Sequence, residues 1–188
     1  MNVDDFFDRL IAALERANVP YMVTGSYASS AHGKPRASDD IDIVIAPTEE
    51  QLRTLMKEFP GDQYYADEED ALDALKHHSQ FNVIDFATMW KADLIIRKDR
   101  DFSRVEFERR RLHTIAGARV HLTTAEDMVI AKLEWAKIGE SARQIEDVAG
   151  IIDRQGSRLD LPYVERWVAK LELHEQWRQA REKASGGR

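Results

Sequence analysis

Apolar residues recur along this chain with two periods, and the switches between them mark the predicted elements. Phe6, Leu10, Leu14 and Ala17 fall every three to four residues, the stripe of an amphipathic helix. Asp4 or Asp5 can cap that helix, and Asn18 and Pro20 end it. Residues 20–24 then read as a short strand that delivers Gly25. Residues 26–32 read as a short helix, broken at Gly33-Lys34-Pro35. Residues 40–45, Asp-Ile-Asp-Ile-Val-Ile, alternate in period two and are rich in β-branched side chains, so they predict a strand. A helix over 47–59 carries Leu52, Leu55 and Met56, a brief strand covers 63–66, and a second helix covers 68–77. Residues 81–86 and 92–96 read as a hairpin around Thr88-Met89-Trp90, with a helix at 104–109. Residues 112–115 and 118–122 flank Ala116-Gly117 as a second hairpin. From Thr124 onward the period is helical, over 124–138, 141–153, 161–171 and 175–183, and Thr124-Ala125-Glu126-Asp127 has the form of a capping box. The pattern predicts an α/β domain over residues 1–123, a helical region over 124–184 packed on it, and a tail at 185–188.

The chemistry concentrates where the first two strands end and begin. Gly25 permits close approach of the backbone to a ligand, and Ser26 stands where a helix begins, whose free N–H groups suit an anion. Asp40 and Asp42 alternate with Ile41, Ile43 and Ile45, so both carboxylates share one strand face while the isoleucines enter a core. Two carboxylates on one face repel unless a cation neutralises them, and hard oxygen ligands suit Mg²⁺ or Mn²⁺. A turn for a polyphosphate followed by paired acids is the order that metal-assisted phosphate chemistry requires. Each piece alone reads equally as a turn or as solvated charge.

Composition narrows the class. The 188 residues include no cysteine, which removes disulfides, thiolate zinc sites and cysteine nucleophiles. No apolar run approaches the ~20 residues that span a bilayer, and the acidic start is no signal peptide, so a cytoplasmic protein without membrane partners is expected. The net charge of −7 argues against a general polyanion-binding surface. Locally, Arg97, Lys98, Arg100 and Arg104, then Arg109-Arg110-Arg111, gather positive charge. That run reads either as solvated strand ends and a helix face or as a cradle for a triphosphate or a nucleic-acid acceptor. The six histidines lack the spacing of a metal cluster, and Trp90, Trp135, Trp167 and Trp177 read as packing.

Gly25-Ser26 followed by Asp40-x-Asp42 resembles the signature of the nucleotidyltransferase superfamily of the polymerase-beta type. Within it, Arg36-x-Ser38-x-Asp40-Ile41-Asp42 is similar to the AbiEii-like group, the nucleotidyltransferase toxins of type IV toxin–antitoxin systems and their small prokaryotic relatives. The resemblance implies a mixed β-sheet with flanking helices, three metal-binding carboxylates, and transfer of a nucleoside monophosphate from an NTP to an acceptor. It also implies a cognate antitoxin as partner. The third acid is expected on a neighbouring strand, at Asp93 or Asp85; Asp93 is preferred because its strand is more apolar and Lys91-x-Asp93-Leu94 is similar to the family's third-acid strand. Arg36, Ser38 and Lys91 stand as secondary members of the site. The resemblance further places Lys132, then Arg143 and Asp147 on the next helix, beside the nucleotide; Arg143 and Asp147, four apart, should pair, and the alternative is a snorkelling Lys132 with a surface ion pair outside the site. The acceptor, whether a tRNA end, a protein hydroxyl, an antibiotic or a second nucleotide, stays open. The alternative is a nucleotide sensor or partner protein of the same fold without catalysis, and a third class is a helical adaptor that binds no metal.

Overall fold

The computed structural model describes residues 3–33, 40–115 and 117–186. Its contacts gather into two compact units, Met1–Tyr27 with Ala37–Leu122, and Ala28–Arg36 with Thr123–Arg188. The periodicity draws one boundary, at residue 123, whereas the contacts group residues 28–33 with the C-terminal helices. Arg36 and Ser38 lie outside the described residues.

The N-terminal unit is built on a seven-stranded mixed sheet of order β3-β4-β5-β2-β1-β7-β6. The strands are β1 Tyr21–Val23, β2 Asp40–Ile45, β3 Tyr64–Tyr65, β4 Gln80–Asp85, β5 Lys91–Ile96, β6 Arg111–Ile115 and β7 Ala118–Leu122. Neighbours β2 and β5 run parallel, as do β1 and β7, and the other pairs are antiparallel. Helices α1 Val3–Arg16, α3 Glu49–Met56, α4 Glu68–His77 and α5 Asp101–Arg109 complete this unit, and α2 Gly25–His32 begins in it. Ile41, Ile43 and Ile45 are fully buried, and so are Phe6, Phe7, Leu10 and Leu14 of α1. Each such side chain contributes about 1.5–3 kcal/mol of transfer free energy. Asn18 closes α1 with a left-handed φ of 51°, the conformation that ends helices and that asparagine tolerates.

The C-terminal unit consists of α6 Ala125–Gly139, α7 Ala142–Gln155, a 3-10 turn at Gly156–Arg158, α8 Leu161–Lys170 and α9 His174–Ser185, with the end of α2. His32 Nε2 lies 2.7 Å from Thr123 O, and Gln155 Nε2 donates to His32 O at 2.8 Å. The Thr124 motif differs from a capping box. Its Oγ1 accepts from Asp127 N and itself donates to Asp127 Oδ2 at 2.6 Å, while the Tyr163 hydroxyl donates to Asp127 Oδ1. An aspartate is too short for the reciprocal bond a glutamate makes, so it is spent on tying α6 to α8. Trp167 and Trp177 are core residues as expected, but Trp135 is 58% exposed: it lies off the buried stripe of Met128, Lys132 and Ala136.

Candidate active site

The acids are set by strand register. Asp42 and Asp93 are Cα partners in the parallel β2–β5 ladder, and Asp40 is opposite Lys91. Partners in a ladder share a face, so Asp40, Asp42, Lys91 and Asp93 project to one side of the sheet. Asp85 does not join them. Ile84 pairs with Lys91 on the acid side, and one residue further along β4 the side chain points to the opposite face. There Asp85 meets Arg9 of α1 at 2.9 Å and accepts from Thr88 N at 3.1 Å and from Thr88 Oγ1 at 2.5 Å. Of the two candidate third acids, only Asp93 stands beside Asp42.

Gly25 and Ser26 meet the acids from β1. Thr24 N donates to Asp42 O at 3.0 Å, which sets the end of β1 against the middle of β2. Gly25 has φ 63°, and a Cβ built on it would lie 1.8 Å from Asp42 Oδ2. The Asp42 carboxylate therefore fills the place a side chain would take, and the Ser26 N–H donates to it. The Ser26 hydroxyl is buried with no hydrogen-bond partner. A buried hydroxyl of this kind needs a partner, whether water, ion or ligand.

The electrostatics are those of crowded acids. Burial, then Asp93, then Asp40 push the Asp42 carboxyl above its ordinary range, against Lys91 and the Ser26 N–H, which pull it down. Lys91 is the local counter-charge. Its Nζ donates to Asp93 Oδ2 at 3.2 Å, stands 3.2 Å from Asp93 Oδ1 outside hydrogen-bonding angle, and lies 3.5 Å from Asp40 Oδ1. Asp93 Oδ1 is thus buried without a directed hydrogen bond. Among the described residues, no three acidic, histidine or cysteine groups are drawn together around one point as a metal site; an ammonium stands between Asp40 and Asp93 instead. Oxygen donors with excess negative charge on one face are the ligand type a hard divalent cation takes, and Lys91 Nζ lies between Asp40 and Asp93. Asn82, opposite Asp93 on the acid side of β4, is a polar neighbour that sequence reasoning passed over. Its signal was the polar alternation of Gln80 and Asn82 around the buried Phe81 and Val83.

Lys132, Arg143 and Asp147 belong to the C-terminal unit. Lys132 is buried, and its Nζ donates to Asp147 Oδ2 at 2.7 Å and to Gln144 Oε1 at 3.0 Å. The pairing of Arg143 with Asp147 expected from spacing does not form: Asp147 turns inward to the buried ammonium, where the attraction is less screened, and Arg143 is exposed.

No known family profile and no curated protein matches the chain. Solved structures do. ANT(2'')-Ia in complex with adenylyl-2''-tobramycin aligns with a TM-score of 0.55 at 14% identity, over 94% of this chain and 99% of that one. The solution structure of ANT(2'')-Ia, an antibiotic-resistance factor, aligns with a TM-score of 0.51 at 16% identity, over 91% and 96%. An antigenic nucleotidyltransferase-like protein from Paracoccidioides brasiliensis aligns with a TM-score of 0.51 at 16% identity, over 90% and 87%. The chain has the nucleotidyltransferase fold, a mixed α/β sheet with flanking helices. No helix among the described residues is long and apolar enough to cross a membrane.

Proposed function

We propose that this protein is a nucleotidyltransferase that moves a nucleoside monophosphate from an NTP to an acceptor hydroxyl or phosphate. The observation that carries this reading is the register of Asp42 with Asp93, with Asp40 on the same face and the Gly25 turn closing on Asp42. The shared fold with nucleotidyltransferases supports it. Asp40, Asp42 and Asp93 would hold Mg²⁺ or Mn²⁺. A divalent cation there supplies charge that offsets both the acids and a triphosphate. The acceptor oxygen bonds to the α-phosphorus, the bond to the bridging oxygen of pyrophosphate breaks, and the acceptor's proton passes to Asp93, whose Oδ1 is free of hydrogen bonds. Gly25 keeps Asp42 in place, and the Ser26 hydroxyl is the donor left for the triphosphate. Lys132 and Asp147 are matched to each other, and we assign both to the stability of the C-terminal unit rather than to the nucleotide.

The motif around Asp40 and Asp42 carries the finer reading, an AbiEii-like toxin with a cognate antitoxin and a tRNA or protein acceptor. ANT(2'')-Ia, whose complex contains an adenylylated tobramycin, points to small hydroxyl compounds as the other acceptor class to screen. One observation favours a rival. Lys91 already pairs with Asp40 and Asp93 and offsets part of their charge, as it would in a nucleotide-binding partner protein without turnover. Incubation with each labelled NTP, Mg²⁺ and a cell extract or an aminoglycoside decides. Label in an acceptor, absent with Asp93→Asn, supports transfer; NTP binding with no labelled product supports the rival.

A further inference from the structure

At the other end of the same strands, two arginines meet with no acid between them. Arg97 follows β5, its N–H bonded to Ile45 O at 2.8 Å, and Arg110 follows α5. Both guanidiniums lie against Phe107, with Cζ 5.7 Å and 4.1 Å from the ring centroid. Arg110 also donates to Phe107 O. Both Nε atoms are buried without a hydrogen-bond partner. Among the described residues neither guanidinium has a carboxylate partner. Burial, then Arg97, hold Arg110 below its ordinary range. Arginine does not shed its proton to relieve such repulsion. The cluster is not a cradle for the triphosphate, because at the rise of a strand Arg97 lies about 13 Å along β5 from Asp93.

The charge continues onto the sheet edge. Between Glu108 and Glu126 the chain has four arginines, at 109, 110, 111 and 119, and no acid, in a protein of net charge −7. Strand β6 is the edge of the sheet, and Arg111, Leu112, His113 and Thr114 are all exposed, as is Arg119 on β7. Glu15 reaches this corner, but it faces the Tyr21 hydroxyl and His121.

We propose that Arg97 and Arg110, together with Arg119 of β7, which shares its sheet face with His121, form a phosphate-binding surface for the backbone of a nucleic acid. Paired guanidiniums match phosphate oxygens in a planar fork, and an anion removes the repulsion between them. A lone phosphate needs only Arg97 and Arg110; Arg119 extends the charge to a further phosphate, which selects a polymer. The surface does not depend on transfer at the acids.

Fluorescence anisotropy of a labelled single-stranded RNA oligonucleotide over a salt series tests this. Wild type should bind, and Arg97→Gln, Arg110→Gln and Arg119→Gln should each weaken binding by about tenfold at low salt. Each should also lower the salt slope by about 0.7. Arg178→Gln, in the C-terminal unit, should bind as wild type does. Arg119 is exposed, so its variant reports on the surface even if Arg110→Gln does not fold. A parallel melting titration with inorganic phosphate separates the sources. If phosphate stabilises the protein while RNA does not bind, or if RNA binds all variants equally, the proposal is wrong.

Discussion

Gly25 is the residue whose replacement should be felt most for its size. Its left-handed backbone costs an L-residue about 1–2 kcal/mol, and the added Cβ would collide with the Asp42 carboxylate at 1.8 Å. Gly25→Ala should lower stability by at least that amount in denaturant melts, and it should abolish transfer by displacing Asp42. Asp42→Asn keeps the bond from the Ser26 N–H but removes a charge crowded by Asp93 and Asp40. In chelator at neutral pH its Tm should equal or exceed that of wild type, while transfer with Mg²⁺ falls by a factor of about a hundred or more. His121 gives the pH dependence. Burial, then Arg110, hold its pKa below the ordinary 6.5. The unfolded chain therefore takes up that proton first as pH falls, so the contribution is present above about 6.5 and lost on acidification through the lowered value. His121→Gln should remove part of the acid-side fall in Tm; identical pH profiles for the two proteins would count against it. At this scale the sequence shows which residue types are present but not what they touch. Asp42 and Gly25 were legible because alternation and turn chemistry are local. That Asp42 leans on Gly25, and that Lys91 sits between two acids, depends on a ladder between strands far apart in sequence.

Among elements, register decides the site. Residues 40–45 and 68–77 were legible to the residue, because alternation and helical stripes mark them fully. For the third acid the apolar run around Asp93 favoured it, but Asp85 stayed open, since the β4–β5 turn fixes which face each acid takes. The pairing of β2 with β5 is parallel, and nothing local in either strand announces it. Asp85→Asn and Asp93→Asn should consequently part company. The first loses the partner of Arg9 across α1 and β4, where removal of one member of a buried pair costs about 3 kcal/mol; Arg9 is partly exposed, so the loss should be smaller, and transfer should survive. The second should abolish transfer with stability retained. Between α6 and α7, Lys132→Met strands the Asp147 carboxylate. A loss of about 3 kcal/mol is expected, and a double-mutant cycle with Asp147→Asn should recover much of it. NTP affinity unaltered in Lys132→Met would agree with its assignment to the fold.

For the whole molecule, ligands should report through stability. Mg²⁺ and a non-hydrolysable NTP together should raise Tm by more than the sum of their separate shifts, since each offsets charge that opposes the other; strictly additive shifts would argue against a common site. The division of the chain carries a separate consequence. Residues 28–33 lie with the C-terminal helices, and the sheet lies on both sides of them in sequence. The smaller unit is therefore written in two pieces, and no single cut in the gene releases it. A fragment beginning at Thr123 would leave that residue's carbonyl without His32 and Gln155 without its acceptor. Recombination that exchanges tail regions between relatives at residue 123 would join helices to a foreign α2. Exchange of the C-terminal helices therefore has to carry α2 with it.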